Sequence, residues 1–128
     1  MIVSYRDLDV WKKAISLAEL CYRFTSAFPR DEMYGMTSQI RRAAVSVAAN
    51  IAEGHGREST GSFVQFLRQS QGSLKELETH LLIVERVGLE TSERTQALLC
   101  DCEAIGKMLR ALIRSLQRRQ AGNDDSAL

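Results

Sequence analysis

The sequence contains a single proline, at position 29, so no proline interrupts a helix anywhere in residues 30–128. Apolar residues recur at spacings of three and four along most of the chain, which is typical of helices that bury one face. No two stretches show the strict polar–apolar alternation of paired strands. The chain is therefore expected to be all-α, with long helices separated by short turns.

Helix-ending residues divide these patterns into four helices. Pro29 ends the first pattern because its nitrogen cannot donate a backbone hydrogen bond, and glycines at 54, 56 and 88 end the next two. Helices of this length joined by short turns predict one domain over residues 1–128, an up-down-up-down antiparallel four-helix bundle. The predicted helices span residues 7–28, 32–54, 59–87 and 92–119, and residues 120–128, which carry no period, are expected to be a frayed tail.

Each predicted helix has an apolar stripe that is expected to form the core. Gly72 lies inside the third helix, where a glycine indicates close approach of another backbone. The stripes are Leu8, Trp11, Ile15, Ala18, Tyr22 and Thr25; Met33, Met36, Ile40, Ala44, Val47 and Ile51; Phe63, Phe66, Leu67, Leu74, Leu77, Leu81 and Val84; and Leu98, Cys102, Ile105, Leu109, Leu112 and Leu116.

Composition excludes several classes of protein. With 17 Lys and Arg against 16 Asp and Glu, the net charge of +1 excludes a polybasic tail and an acidic disordered segment. No apolar run is long enough to span a membrane, and the N-terminus lacks a signal-peptide pattern, so a cytoplasmic protein is expected. Cys21, Cys100 and Cys102 lack zinc-ligand spacing and are expected to be buried free thiols, with no metal or other cofactor.

The second helix is unusually apolar. Residues 43–52 read AAVSVAANIA, in which only Ser46 and Asn50 are polar. A four-helix monomer buries one side of each helix, so a helix that is apolar almost all round predicts cover by another subunit. The alternative is an alanine-rich helix that lies deep in its own bundle.

The few polar residues of the second and third helices are aligned in rows. Either the rows meet inside an assembly, where each group needs a partner, or they are two solvated stripes. In the first case, Arg42 or Arg57 would pair with Glu53 or Glu76. The rows are Gln39, Arg42, Ser46, Asn50, Glu53 and Arg57, and Gln65, Gln69, Ser73, Glu76 and His80.

No catalytic residue is predicted. The Glu-x-x-His pairs of a di-iron bundle are missing, and Gly54 and Gly56 lack the strand and lysine of a phosphate-binding loop. The alternative from the enzyme class is a metal-dependent bundle enzyme that uses Glu53, His55 and His80.

The fourth helix carries a row of bases without an intervening acid. Such a row is usually a solvated face, but repeated in an assembly it would bind the backbone of RNA or DNA without reading sequence, because no aromatic residues interleave with it. The bases are Lys107, Arg110, Arg114, Arg118 and Arg119.

Three stretches resemble one family. DLDVWKKAISLA (7–18), IRRAAVSVAANIAEGHGRES (40–59) and FVQFLRQSQGSLKELETHL (63–81) are similar to the bacterial four-helix-bundle proteins encoded in intervening sequences of 23S ribosomal RNA genes. The resemblance covers most of residues 5–90 and implies a cytoplasmic homopentameric ring. The same stretches look like the accessory variability determinant of diversity-generating retroelements, whose resemblance implies nucleic acid and a reverse transcriptase as partners.

The expected function is therefore a non-enzymatic, homo-oligomeric scaffold or adaptor, with RNA, DNA or an RNA-handling protein as partner and no membrane partner. The resemblance implies that Asn50, Glu53, Gly54, Arg57, Gly72, Ser73, Glu76 and Glu78 are packing and interface residues, and the apolar second helix adds Arg42, Ala43, Ser46 and Ala49.

Overall fold

The computed structural model of the protein describes residues 4–126, and within them it has four helices and no strand. The helices are α1 (Asp9–Thr25), α2 (Ser38–His55), α3 (Thr60–Val87) and α4 (Ser92–Ser126). α2 packs on α1 and most extensively on α3, and α4 packs on α3 and α1, which closes the bundle. Ser46 faces Ser73 while Gly54 faces Phe66, so α2 and α3 are antiparallel. The predicted all-α four-helix bundle is confirmed.

Capping residues explain where several helices begin or end. The Ser59 hydroxyl accepts a hydrogen bond from the Ser62 amide at 3.1 Å, and the Thr91 hydroxyl accepts one from the Arg94 amide at 3.3 Å. α3 ends at Gly88, whose φ of 78° lies in the left-handed region that glycine adopts without strain. These three polar or glycine residues set the short turns that fold α3 back on α2 and α4 back on α3.

The segment between α1 and α2 differs from the prediction. α1 ends at Thr25, and a 3₁₀ turn (Arg30–Glu32) and a π-helical turn (Met33–Thr37) precede α2, which was predicted to begin at residue 32. Gly35 has φ −112° and ψ −114°, which breaks the regular helix. This irregular segment leaves the Tyr34 side chain 93% exposed and Met33 half-exposed, so Met33 is not in the core.

The end of α4 also differs. The helix continues past Arg119, its predicted end, to Ser126; fraying of the tail stays a prediction, and residues 127–128 lie outside the described residues. The hydrophobic period ends near Leu116, but Gln120 and Ala121 favour helix and no proline stops the backbone.

The core matches the predicted stripes in α2, α3 and α4, and it matches that of the first helix in part, since Leu8 and Thr25 are buried. Two members of that stripe lie on the surface, where Ile15 is 41% exposed and Tyr22 is 46% exposed. The positions buried in their place are Ala14, Leu17 and Cys21. Both sets of positions satisfy the three-to-four spacing, so spacing alone does not decide which set is buried.

The close approach predicted at Gly72 occurs at Gly54 instead. A Cβ atom at Gly54 would lie 2.7 Å from the Cβ of Phe66 and 3.2 Å from the carbonyl oxygen of Phe63, so only glycine allows α2 and α3 to meet there. A Cβ atom at Gly72 would meet nothing within 4 Å among the described residues.

We expect Gly72→Ala to stabilise the single bundle by about 1 kcal/mol, because alanine favours helix and no neighbour obstructs the methyl group. Denaturant unfolding measures this change, and Gln69→Ala, an exposed substitution with little change in propensity, is the control. Unchanged or reduced stability would show that something absent from the single chain occupies the space at Gly72.

Candidate functional site

The polar rows of α2 and α3 meet inside the chain only at Ser46, Asn50 and Ser73, which are half-buried, while most of the other members are exposed. The hydroxyl groups of Ser46 and Ser73 share a hydrogen bond of 2.8 Å, and the Asn50 amide donates to the carbonyl and hydroxyl oxygens of Ser46 at 2.9 and 3.0 Å. These hydrogen bonds form within the single chain and need no second copy. They fix the register between α2 and α3.

A further polar contact in this interface was missed by the sequence analysis. The fully buried Ser70 hydroxyl donates to the carbonyl oxygen of Val47 at 2.8 Å. Ser70 stands between Leu67 and Leu74 at helical spacing, within the α3 stripe. A serine at such a position requires an acceptor nearby, and this was the signal that could have identified it.

The C-terminal end of α2 is held by charged and aromatic side chains. Glu53 forms an ion pair of 2.7 Å with Arg57, whose guanidinium lies 4.8 Å from the centre of the Phe66 ring. His55 meets the Phe63 ring edge-on at 5.7 Å. Arg57 therefore pairs within its own chain, and these residues attach the end of α2 to α3.

The structure does not bring Glu53, His55 and His80 together. His80 lies 14 residues beyond Phe66, the neighbour of Gly54, which is about 20 Å along α3 at 1.5 Å per residue. Among residues 4–122, whose side chains the structure describes, no three His, Cys, Asp or Glu side chains could hold a metal ion. The metal-dependent alternative thus receives no support from this arrangement.

His80 belongs to the α3 polar row but lacks the hydrogen bond that a buried imidazole needs. Its Nε2 lies 3.6 Å from a carboxylate oxygen of Glu76, and both ring nitrogens are buried without a hydrogen-bond partner among the described residues. The i,i+4 contact between Glu76 and His80 therefore lies near the limit of ion-pair distance.

A cavity of about 660 Å³, here called the tyrosine groove, lies over α2 between α1 and α3. Arg41 is fixed at its wall, since its Nε donates to the buried Thr25 hydroxyl at 2.9 Å and its guanidinium lies 4.6 Å from the centre of the Tyr22 ring. The groove is lined by Tyr22, Met33, Tyr34, Thr37, Ser38, Arg41, Arg42, Ala43, Val45, Ser46, Ser73 and Glu76.

The bundle of the single chain covers only part of the apolar surface of α2. Ala43, Ala44 and Ala48 are buried, as the deep-helix alternative expects, but Val45 is 44% exposed and Ala49 is exposed. The outer stripe of α2 thus remains uncovered in the single chain.

The groove also carries charges of both signs. Arg42 forms no ion pair with any residue in the described part of the chain, and the Glu76 side chain is more than half exposed. The predicted pairing of Arg42 with Glu76 is absent within the single chain, although both line the same cavity.

The predicted basic row of α4 is exposed along its whole length. Lys107 pairs with Glu103 at 3.7 Å, and no ion pair joins the four arginines to any side chain described in residues 4–122. On α3, Lys75 pairs with Glu78 at 3.1 Å, so Glu78 acts within its own helix.

The cysteines have unequal environments. Burial, with a smaller contribution from the Asp101 carboxylate, raises the pKa of the Cys21 thiol to about 12. Burial also raises the pKa of Cys102 well above its ordinary value. Cys100 is exposed, which corrects the expectation of three buried thiols, because a C-x-C spacing places its two side chains on nearly opposite sides of a helix.

We therefore expect a disulfide reagent to modify Cys100 rapidly in the native protein at neutral pH, and Cys21 and Cys102 only on unfolding. Counting released thiolate before and after denaturant checks this, with Cys100→Ser as the control that removes the fast phase. Rapid native modification of two or more thiols would contradict the buried positions of Cys21 and Cys102.

None of the helices within residues 4–126 combines the length and the apolar character needed to cross a bilayer. No curated protein matches the chain significantly. The crystal structure of a protein of unknown function from the S23 ribosomal protein family of Bacteroides thetaiotaomicron is similar, with 26% identity, a TM-score of 0.74, and coverage of 81% of this chain and 97% of that chain. The family model for the 23S rRNA-intervening sequence protein matches residues 6–111. The chain therefore belongs to the 23S rRNA-intervening sequence protein family.

Proposed function

We propose that the protein is a non-enzymatic, cytoplasmic scaffold that assembles with copies of itself through the tyrosine groove. The observation that carries this proposal is the concentration of exposed apolar side chains around one cavity, to which α1, the turn before α2 and α2 itself contribute. These side chains are Tyr22, Met33, Tyr34 and Val45.

The energetic reason is the hydrophobic effect. Complete burial of a side chain the size of valine or methionine contributes about 1.5–3 kcal/mol, and aromatic side chains bury larger areas. Tyr34, which is almost wholly exposed in the single chain, has the most to gain from cover. A neighbouring copy seated on the groove would remove all four side chains from water.

A second copy of the chain suits the groove because it carries charges that can pair with those in the groove. Arg42 lacks an ion-pair partner in the described chain, and Glu76 is exposed in the same cavity. A neighbour that presents an acid and a base of its own satisfies both. The family resemblance implies a ring of five copies, which would also repeat the α4 bases for a nucleic-acid backbone or an RNA-handling protein.

The non-enzymatic role is supported by the polar groups of the groove. Ser46 and Ser73 bond to each other, and Arg41 bonds to Thr25. Among the lining residues there is no histidine or thiol, and the one carboxylate, Glu76, forms no hydrogen bond with either serine.

Light scattering on the purified, untagged protein tests the proposal. The expected mass is five times the 14.4 kDa of the chain, independent of ionic strength because the groove is mainly apolar. A mass of 14.4 kDa at all concentrations would contradict self-assembly.

A further inference from the structure

A second cavity, of about 300 Å³, lies on the opposite side of α3, where that helix meets α4. Two basic side chains, Lys75 of α3 and Arg110 of α4, stand on its two walls. The cavity, here called the basic notch, is lined by Gln71, Gly72, Leu74, Lys75, Gly106 and Arg110.

The two glycines keep the space between these cations open. Gly72 is exposed and nothing lies within 4 Å of where its Cβ would be. On the other wall, a Cβ at Gly106 would lie 3.5 Å from both the Nη1 of Arg110 and the Cδ2 of Leu74, and therefore at the floor of the notch. A side chain at either position would narrow the opening between Lys75 and Arg110.

The charges of the basic notch are available to a ligand. Arg110 is exposed and has no ion-pair partner in the described residues. The Lys75 side chain is 70% exposed, and its contact with Glu78 is a surface i,i+3 pair, which is weak in water. Gln71 adds an uncharged amide that donates hydrogen bonds.

The positive charge continues in one direction along the two helices. Gly106 meets Leu74 and Gly61 meets Gln120, so α3 and α4 run antiparallel. Arg68, seven residues before Lys75, and Arg114, four after Arg110, therefore extend the same face toward the same end of the bundle. Both are exposed, and neither has an ion-pair partner among the side chains described in residues 4–122.

Toward the other end of the bundle, two carboxylates next to the notch repel an anion. Glu78 and Glu103 lie one turn beyond the notch on α3 and α4, where they pair with Lys75 and Lys107. A polyanion that enters the notch is repelled at that end and attracted along Arg68 and Arg114. The positive face covers about 10 Å of α3, the length of seven residues, which is too long for a single phosphate.

The geometry points to a nucleic-acid backbone as the ligand of this surface: one phosphate lies in the basic notch between Lys75 and Arg110, and the next phosphates lie along Arg68 and Arg114. No aromatic side chain lines the notch, so contact is made with the backbone and not by base stacking. The inference goes beyond the scaffold function and does not depend on assembly, which would only repeat the surface.

The test is binding of a fluorescein-labelled oligouridylate of about 20 nucleotides, followed by anisotropy at about 50 mM salt, where phosphate contacts are strong. We expect the double variant K75Q/R110Q to bind at least about 10-fold more weakly than the unmodified protein. Its salt dependence should fall by about 1.4 in log–log slope, which is about 0.7 for each lost contact to a single strand.

The matched control is K12Q/K13Q, which removes the same charge from an exposed part of α1. The control should bind within about threefold of the unmodified protein, because nonspecific charge is worth less than paired phosphate contacts. Equal losses in the two variants, or no binding by the unmodified protein at this salt, would overturn the inference.

Two further measurements distinguish nucleic-acid binding at the basic notch from self-assembly and from the binding of free phosphate. Light scattering on the same samples shows whether assembly persists, so a fully assembled protein that binds no oligonucleotide contradicts nucleic-acid binding but leaves self-assembly through the tyrosine groove intact. Inorganic phosphate, added at equal phosphate concentration and ionic strength, should displace the probe far less than unlabelled oligouridylate. Equal displacement would contradict a polyanion and indicate a site for free phosphate.

Discussion

Replacing Gly54 with alanine is expected to destabilise the protein by about 1–3 kcal/mol, the range of overpacked cores, although alanine favours helix by about 1 kcal/mol. The new methyl group would lie 2.7 Å from the Phe66 Cβ and 3.2 Å from the Phe63 carbonyl oxygen. Neither atom moves by a change of rotamer, so α2 and α3 must separate. This separation would strain the Ser46–Ser73 and Ser70–Val47 hydrogen bonds.

This prediction is tested by chemical denaturation of Gly54→Ala and Gly72→Ala side by side. The substitution is the same at both sites, but the expected changes in the free energy of unfolding have opposite signs. Both sites are helical, so helix propensity cancels between them. If Gly54→Ala is as stable as the unmodified protein, the close packing of the α2 end on Phe63 and Phe66 is wrong.

Val45→Glu is expected to convert the assembly into single chains of 14.4 kDa with unchanged helix content. Val45 is 44% exposed in the single chain, so the variant folds with its carboxylate in water. In the proposed interface the same carboxylate would be buried, at a cost of several kcal/mol unless it is paired. The effect on assembly should therefore be far larger than the effect on folding.

Val87→Glu is the matched control. Val87 is 64% exposed at the C-terminal end of α3, outside the residues that line the tyrosine groove. This variant should assemble like the unmodified protein when both masses are measured by light scattering. An equal loss of mass in the two variants, or in neither, would contradict the groove as the interface.

The helices could be predicted because the residues that begin or end them lie close together in the sequence. Ser59, Thr91 and Gly88 cap or end helices through contacts within a few residues, and each does so in the structure. Where the local signal is ambiguous, the prediction fails. α1 has two apolar stripes, and only its packing against α2 and α4 decides which one is buried.

Only some residues of each candidate site could be predicted from the sequence. The α4 bases stand out as a row, but Lys75 and Arg68 join them only through the antiparallel register of α3 and α4. In the same way, the tyrosine groove depends on the irregular turn at Gly35, which exposes Tyr34. Contacts between elements distant in sequence set both surfaces, and spacing along one helix cannot reveal them.

The roles of Gly54 and Gly72 show the same limit. A glycine within a helix indicates either close approach or open space, and the sequence alone does not distinguish them. Gly54, at the predicted end of α2, is the position of closest approach, and Gly72, predicted to be a packing contact, borders the basic notch.

The central claim, that copies of the chain meet at the tyrosine groove, is tested most directly by hydroxyl-radical footprinting of the unmodified protein beside Val45→Glu. We predict that Tyr34 and Met33 are protected in the unmodified protein and react rapidly in the variant, while the exposed Leu82 and Val87 react equally in both. Equal, rapid modification of Tyr34 in the two proteins would contradict the account.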